Sequence, residues 1–195
     1  MAKNQKILLS TLVVGLLCGL TSLGVFGLFS ATTQNAGNEI STGTVAISDN
    51  DAGSALYNIT GAKPGDTVSR CIRTTYTGSL PASVRLYTTS APGDLAQYVD
   101  LTITKGTQAG STFPDCTGFA ADTGGVLFTG TLQGFEQARN SFANGIATAP
   151  AGLTVWSTGS SVVYKVDATL QAGTPDSGQG STSGAHTFIW EARNT

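Results

Sequence analysis

The chain has 195 residues and a formal net charge of −2, and only 11% of its residues are charged. That charged fraction lies well below the roughly 25% of typical soluble domains. With twelve acidic and ten basic residues, the composition gives no indication of binding to nucleic acid or to an anionic membrane surface. The length allows one domain with a proper hydrophobic core.

The N-terminal stretch has the pattern of an export signal. Lys3 and Lys6 precede an uncharged run, residues 7–29, which is 23 residues long. Val25 and Gly27 stand at the −3 and −1 positions of a cut before Leu28, so residues 1–27 are predicted to be a signal peptide cleaved between Gly27 and Leu28. The alternative is a retained anchor, because a run of this length can cross a hydrocarbon core of about 30 Å.

The three cysteines become an even set once the signal is removed. Cys18 lies in the apolar run, and its loss leaves Cys71 and Cys116. An exported chain enters an oxidising compartment, so these two are predicted to form a disulfide, with two free thiols as the alternative. A lipid anchor on Cys18 is disfavoured, because Leu17 fills a position that normally requires a small residue.

After the signal, the pattern is that of an all-β chain. Residues 28–46 form an extended N-terminal segment with the first strand, and residues 47–195 form one β-sandwich domain. Apolar residues alternate with polar ones between turn signals. The predicted strands are 42–48, 55–60, 66–77, 82–89, 99–105, 126–129, 162–170 and 185–192. Residues 106–125 are predicted to be a long loop that holds Cys116.

One stretch departs from the period of two. Leu132, Phe135, Arg139 and Phe142 recur at helical spacing, and Asn144-Gly145 is a usual C-terminal signal. The spacing predicts one short amphipathic helix over residues 132–143. The expected architecture is therefore an antiparallel β-sandwich of jelly-roll type with one short helix.

Three motifs resemble the TasA/camelysin family. At the junction, Phe29, Asn38, Ile40, Gly43 and Thr44 stand at the family's places. The sequences GAKPGDTV, at residues 61–68, and TGSLPASVRL, at residues 77–86, form the second and more specific similarity. The ending TFIWEAR, at residues 187–193, resembles the family's terminal strand. The resemblance implies a secreted protein whose signal is removed by a SipW-type signal peptidase.

Catalytic residue sets are hard to find in the sequence. The single histidine, His186, lies on the predicted last strand, whereas a zinc protease needs at least two histidines and a glutamate. Some relatives carry a metallopeptidase label, and the sequence gives that label no chemical support. Asp49 and Asp51 flank a turn, which favours turn capping over calcium binding. We expect no enzyme, no metal and no cofactor.

Together with the export signal, the low charge and the all-β pattern, the resemblance to the TasA/camelysin family implies a secreted structural protein that assembles into extracellular fibres of a biofilm matrix or cell surface. Its partner is a second copy of itself, and it meets the membrane only through the signal before cleavage. In this hypothesis, residues 28–46 add as a strand to a neighbouring subunit, with Leu28, Phe29, Ile40 and Val45 as candidate contacts. Pairing of this segment within its own subunit is one alternative. A surface binding module or adhesin, tethered through an uncleaved N-terminal helix, is another.

Overall fold

The computed structural model describes residues 41–110 and 112–195, and the part from Thr42 to Thr195 forms one compact unit. The predicted cleavage at Gly27 and Leu28, and the contacts Phe29 and Ile40, lie outside the described residues. The strands are β1 (Ile47–Asp49), β2 (Thr67–Tyr76), β3 (Ala82–Thr88), β4 (Val99–Gln108), β5 (Phe119–Thr131), β6 (Ile146–Thr148), β7 (Ser161–Leu170) and β8 (Phe188–Asn194). The described residues also contain the α-helix α1 (Leu132–Ala138) and two 3-10 helices, Asp94–Tyr98 and Asp176–Gly178.

The strands form two antiparallel sheets. The larger has the order β1-β2-β7-β4-β5 and the smaller has the order β6-β3-β8. This arrangement confirms the antiparallel β-sandwich with one short helix. The jelly-roll connectivity stays a prediction. Within the described residues, no helix is long and apolar enough to span a membrane.

The core forms where the alternating strands turn their apolar faces inward. Every second residue of β7 from Val162 to Leu170 is buried, as its sequence pattern predicts. The largest fully buried side chains are those of Trp156, Tyr76, Tyr164 and Phe135. Burying a large apolar side chain contributes on the order of 1.5–3 kcal/mol, so these aromatic residues account for much of the stability of the sandwich.

Arg70 shares the inner face of β2 with Val68 and Ile72. An arginine on an apolar strand face can reach solvent if the strand has a bulge or lies at the edge of its sheet. Pairing of β2 with β7 is continuous from Thr67 to Thr75, without a bulge, whereas β1 covers only the last three residues of β2. The first part of β2 is therefore an edge, and Arg70 remains half-buried there with its guanidinium donating to the Ser69 carbonyl at 3.0 Å.

Three local predictions are corrected. Half of the predicted loop 106–125 is strand, because β4 extends to Gln108 and β5 begins at Phe119, and the two strands pair Gly106 with Ala121 beyond a register shift. The helix ends at Ala138 rather than at residue 143. Phe142 instead packs beneath the Arg193 guanidinium, 4.0 Å from the ring centroid. Residues 55–60, predicted as a strand, have no regular secondary structure.

The disulfide between Cys71 and Cys116 is present, and their Cα atoms are 5.1 Å apart. Cys71 lies on the outer face of the larger sheet, and its amide donates to the Pro114 carbonyl at 3.0 Å. The bond therefore holds the short connection between β4 and β5 against that face.

Replacing both Cys71 and Cys116 with alanine should lower the free energy of unfolding by on the order of 4 kcal/mol. The sulfur bridge closes a loop with a sequence separation of 45. In the chain-entropy relation, removing it gives the unfolded chain an entropic advantage of about that size. Denaturant unfolding of the oxidised protein and the variant measures the difference. The reduced wild-type protein serves as the control, and equal unfolding midpoints would contradict the prediction.

Candidate functional site: an apolar groove beside β8

Strand β8 is paired on one side only. Phe188 to Asn194 pair with Thr88 to Ala82 of β3, and the opposite side of β8 has no partner strand in the described part of the chain. The sandwich is similarly open in the larger sheet, where β1 is too short to cover the first part of β2. Unpaired N–H and C=O groups along an edge are a template for another strand.

A cavity of about 720 Å³ opens between these two edges. We call it the groove. Its walls come from the inner faces of both sheets, from α1 and from the two segments 51–62 and 182–188. The apolar side chains that line it are Leu56, Ile59, Ile72, Leu95, Val99, Leu132, Ala168, Leu170, Phe188 and Trp190. The groove therefore leaves part of the hydrophobic core without a covering strand.

A second, smaller cavity of about 220 Å³ lies between β1 and β8. Ile47, Ser48 and Asp49 line one side, and Phe188, Ile189 and Trp190 line the other. Because Phe188 and Trp190 line both cavities, open space borders β8 along its first residues. This shape suits an extended polypeptide lying parallel to β8 better than a compact small molecule.

The main polar contact inside the groove joins Tyr57 and His186. The Tyr57 hydroxyl lies 2.6 Å from His186 Nε2, and His186 Nδ1 lies 3.3 Å from the Gly184 carbonyl oxygen. Burial lowers the pKa of His186. It also raises the pKa of Tyr57, as does the charge of Glu136 to a smaller extent. The arrangement is that of a neutral tautomer, with Nδ1–H donating to Gly184 and Nε2 accepting from the tyrosine hydroxyl.

Glu136 is a buried carboxylate that the sequence analysis did not single out. Its residue is 3% exposed, and neither carboxyl oxygen has a hydrogen-bond partner among the described residues. Burial raises its pKa to about 7. Glu136 follows Leu132 by one helical turn, and Leu132 lines the groove. The helical spacing from Leu132 was the available signal, because it puts position 136 on the inward face.

The acidic turn residues have the predicted capping role. Asp49 Oδ1 accepts from the Asp51 amide at 3.2 Å, and Asp51 Oδ1 accepts from the Gly53 amide at 2.6 Å. Burial raises the pKa of Asp49. Both carboxylates therefore serve the turn that follows β1.

Val45 is the one candidate donor contact that the structure describes. It is 37% exposed and lies in a stretch that pairs within its own chain. The Thr44 carbonyl accepts from the Ser79 and Leu80 amides at 2.9 and 3.1 Å, and the Ala46 carbonyl accepts from the Thr77 amide at 2.9 Å. The N-terminal segment is thus anchored to its own subunit at residues 44–46.

The sandwich and the groove define the class of the protein. It is a β-sandwich domain in which an open strand edge lies beside a part of the core that no strand covers. Residues 3–98, about half of the chain, match the family model described as camelysin metallo-endopeptidase. The chain belongs to the camelysin family, which confirms the resemblance carried by the motifs at 38–44, 61–68 and 77–86. No curated protein matches the chain.

The family's description implies a metal ion, and the donor groups can be tested against it. In residues 41–110 and 112–195, no group of three His, Cys, Asp or Glu side chains is placed to hold a metal. Both ring nitrogens of His186, the single histidine of the chain, already face protein partners. Cys71 and Cys116 are joined to each other. The described residues therefore do not fit a metalloprotease centre.

The buried Glu136 should make stability depend on pH. Its pKa of about 7 in the folded state exceeds the ordinary 4.5, so the folded protein holds this proton more tightly than the unfolded chain does. The free energy of unfolding should therefore fall between pH 4.5 and 7, by at most about 1.4 kcal/mol per pH unit from this group.

The Glu136→Gln variant should lose this part of the pH dependence, which denaturant unfolding at pH 4.5, 6 and 7.5 measures. The matched control is Asp176→Asn, which alters an exposed carboxylate. A wild-type pH profile that parallels that of Glu136→Gln would show that the carboxyl titrates normally.

Proposed function

We propose that this protein is a secreted structural subunit that assembles into extracellular fibres of a biofilm matrix or cell surface. In the proposed fibre, the N-terminal segment 28–46 stays anchored to its own subunit at residues 44–46, and its residues 28–40 enter the groove of the next subunit and add a strand beside β8. The observation that carries the proposal is the groove itself, which places an unpaired strand edge next to an apolar wall that no strand covers.

Backbone pairing supplies the first part of the proposed contact. A donor strand beside β8 satisfies edge N–H and C=O groups of Phe188–Asn194, as in strand addition generally. Apolar side chains supply the second part. Leu28, Phe29 and Ile40 are the contacts proposed to enter the groove, and Val45 lies where the segment leaves its own subunit.

The composition of the segment suits this role. Residues 28–38 carry no charged side chain, so placing their side chains against the apolar wall desolvates no charge. The new α-amino group of Leu28 is the one charge in this stretch and has to remain in contact with water. Thirteen residues, 28–40, precede the described part of the chain. Fully extended, they reach at most about 43–47 Å, whereas the seven residues of β8 span about 23 Å. The segment is therefore long enough to leave one subunit and follow β8 of another.

The symmetry of such a contact leads to a filament. The donor segment and the acceptor groove are different surfaces, so the contact is head-to-tail and does not close on itself. The low charge of the chain, 11% of residues, keeps repulsion between copies small. In this proposal the partners are further copies of the same chain and a SipW-type signal peptidase, and no catalytic role is assigned.

A tethered surface binding module or adhesin is the second candidate. The 23 uncharged residues of the run 7–29 favour it, because a run of this length can remain in a bilayer. Mass spectrometry of the protein from the producing cells separates the two. Protein that begins at Leu28 supports the secreted subunit, whereas membrane-bound protein that keeps residues 1–27 supports the tethered module.

Deleting residues 28–38 should abolish fibres and leave a folded monomer, because the donor strand is removed and the sandwich is not. Electron microscopy of the chain beginning at Leu28 and of the shortened chain measures this. Fibres that persist in the shortened chain would refute donor-strand addition.

The shortened chain should also act as a terminator. It keeps an acceptor groove and lacks a donor, so adding it at about one part in twenty to the chain beginning at Leu28 should shorten the fibres. A double variant with Leu28→Ser and Phe29→Ser should assemble poorly, whereas the matched double variant with Thr32→Ser and Thr33→Ser should assemble normally. Equal assembly of both double variants would argue against Leu28 and Phe29 as donor contacts.

A further inference from the structure

Residues 54–62, which we call the strap, run along the groove and are weakly held. The backbone of residues 55–62 makes no hydrogen bond to another backbone group of the described chain. Leu56 and Tyr57 pack against the core, whereas Asn58 and Ile59 are exposed. The strap therefore rests on side-chain contacts rather than on sheet pairing.

One glycine, Gly53, directly precedes the strap, and a second, Gly61, is its last residue but one. Gly53 and Gly61 have φ angles of +80° and +66°, a region that glycine adopts without the strain that a side chain brings. An added Cβ at either position would meet no atom within 4 Å, so a lack of room for a side chain is not the reason for glycine there. The reason is the positive φ angle, and the two glycines provide a hinge near each end of the segment. Beyond the strap, the Gly65 amide donates to the Leu170 carbonyl at 2.7 Å, which anchors the chain before β2.

The strap has one specific polar tie to the opposite wall of the groove. The Tyr57 hydroxyl lies 2.6 Å from His186 Nε2, and the two rings are 5.4 Å apart. His186 also contacts Phe188, the first residue of β8, with 5.7 Å between ring centroids. This hydrogen bond therefore joins the strap to the beginning of β8. An added strand would lie at the same place.

We propose that the strap is the groove's own occupant in the free subunit, and that an incoming donor segment displaces it. This inference rests on the proposed function and names the regulation of the same site. The strap shields apolar groove residues such as Ile72 and Leu170 while no donor is present. Its sequence has the alternation of a strand, yet it pairs with nothing, so a donor that pairs with β8 forms backbone hydrogen bonds that the strap does not form.

The test uses the chain beginning at Leu28, kept monomeric by dilution, and a fluorescent synthetic peptide of residues 28–46. Binding is measured by fluorescence anisotropy. Chymotrypsin cleavage after residue 57, followed by mass spectrometry, measures release of the strap. Peptide binding should speed this cleavage at least about threefold, because Tyr57 then leaves the groove.

The variant Tyr57→Phe tests the hydrogen bond to His186 separately from the packing of the ring, because it removes the hydroxyl and keeps the ring. Chymotrypsin cleaves after phenylalanine as well, so the same assay applies. We expect faster cleavage in the free variant and peptide binding about three- to tenfold tighter, in line with loss of one hydrogen bond. The matched control is Tyr87→Phe. Tyr87 donates to Glu191 at 2.6 Å and does not line the groove, so this change should leave binding and cleavage as in the wild type.

The outcomes distinguish the two proposals. Peptide binding without faster cleavage after residue 57 would show that the donor does not displace the strap, and donor-strand addition would remain supported. Weaker binding by Tyr57→Phe also overturns the strap, because Tyr57 would then belong to the acceptor surface. Absence of peptide binding in wild type and variant rejects donor-strand addition, and the strap's role falls with it.

Discussion

The pairing of β8 with β3 on one side only is the constraint on which the rest of this structure depends. Backbone polar groups at a sheet edge need partners, and apolar side chains near that edge need cover. Native sheets protect such edges with short edge strands, charged side chains or a covering loop. Here β1 is three residues long and pairs with β2, so β8 and the adjoining core wall share one opening.

The polar groups around the opening follow from the same geometry. Tyr57 and His186 satisfy each other at its rim, whereas the carboxyl oxygens of Glu136 find no partner among the described residues. A carboxyl group in that position stays protonated more readily than one in water, because charge is costly away from water. Glu136 lies one helical turn after Leu132, which lines the groove, and its charge changes near neutral pH. The strap is held by a neutral tyrosine and histidine pair.

The description of the camelysin family names a metal-dependent activity, and the described residues of this chain lack a group of side chains that could hold a metal. The single histidine of the chain has both ring nitrogens in contact with protein groups, so neither nitrogen is free to bind a metal ion. What the fold offers is a binding edge with a large apolar wall. The structural role proposed for the protein uses that edge.

The sequence by itself determined the features that local chemistry controls. Alternation over residues 162–170 predicted β7, helical spacing from Leu132 predicted the start of α1, and an even cysteine pair predicted the disulfide between Cys71 and Cys116. Tertiary structure decided what depends on distant partners. Residues 55–60 have the pattern of a strand and remain irregular because no neighbour pairs with them. The two ends of the predicted loop 106–125, residues 106–108 and 119–125, are strand because β4 and β5 pair there. Alternation of apolar and polar residues determines which face of a strand is buried. Whether another strand lies beside it depends on distant residues, so only the tertiary structure decides it.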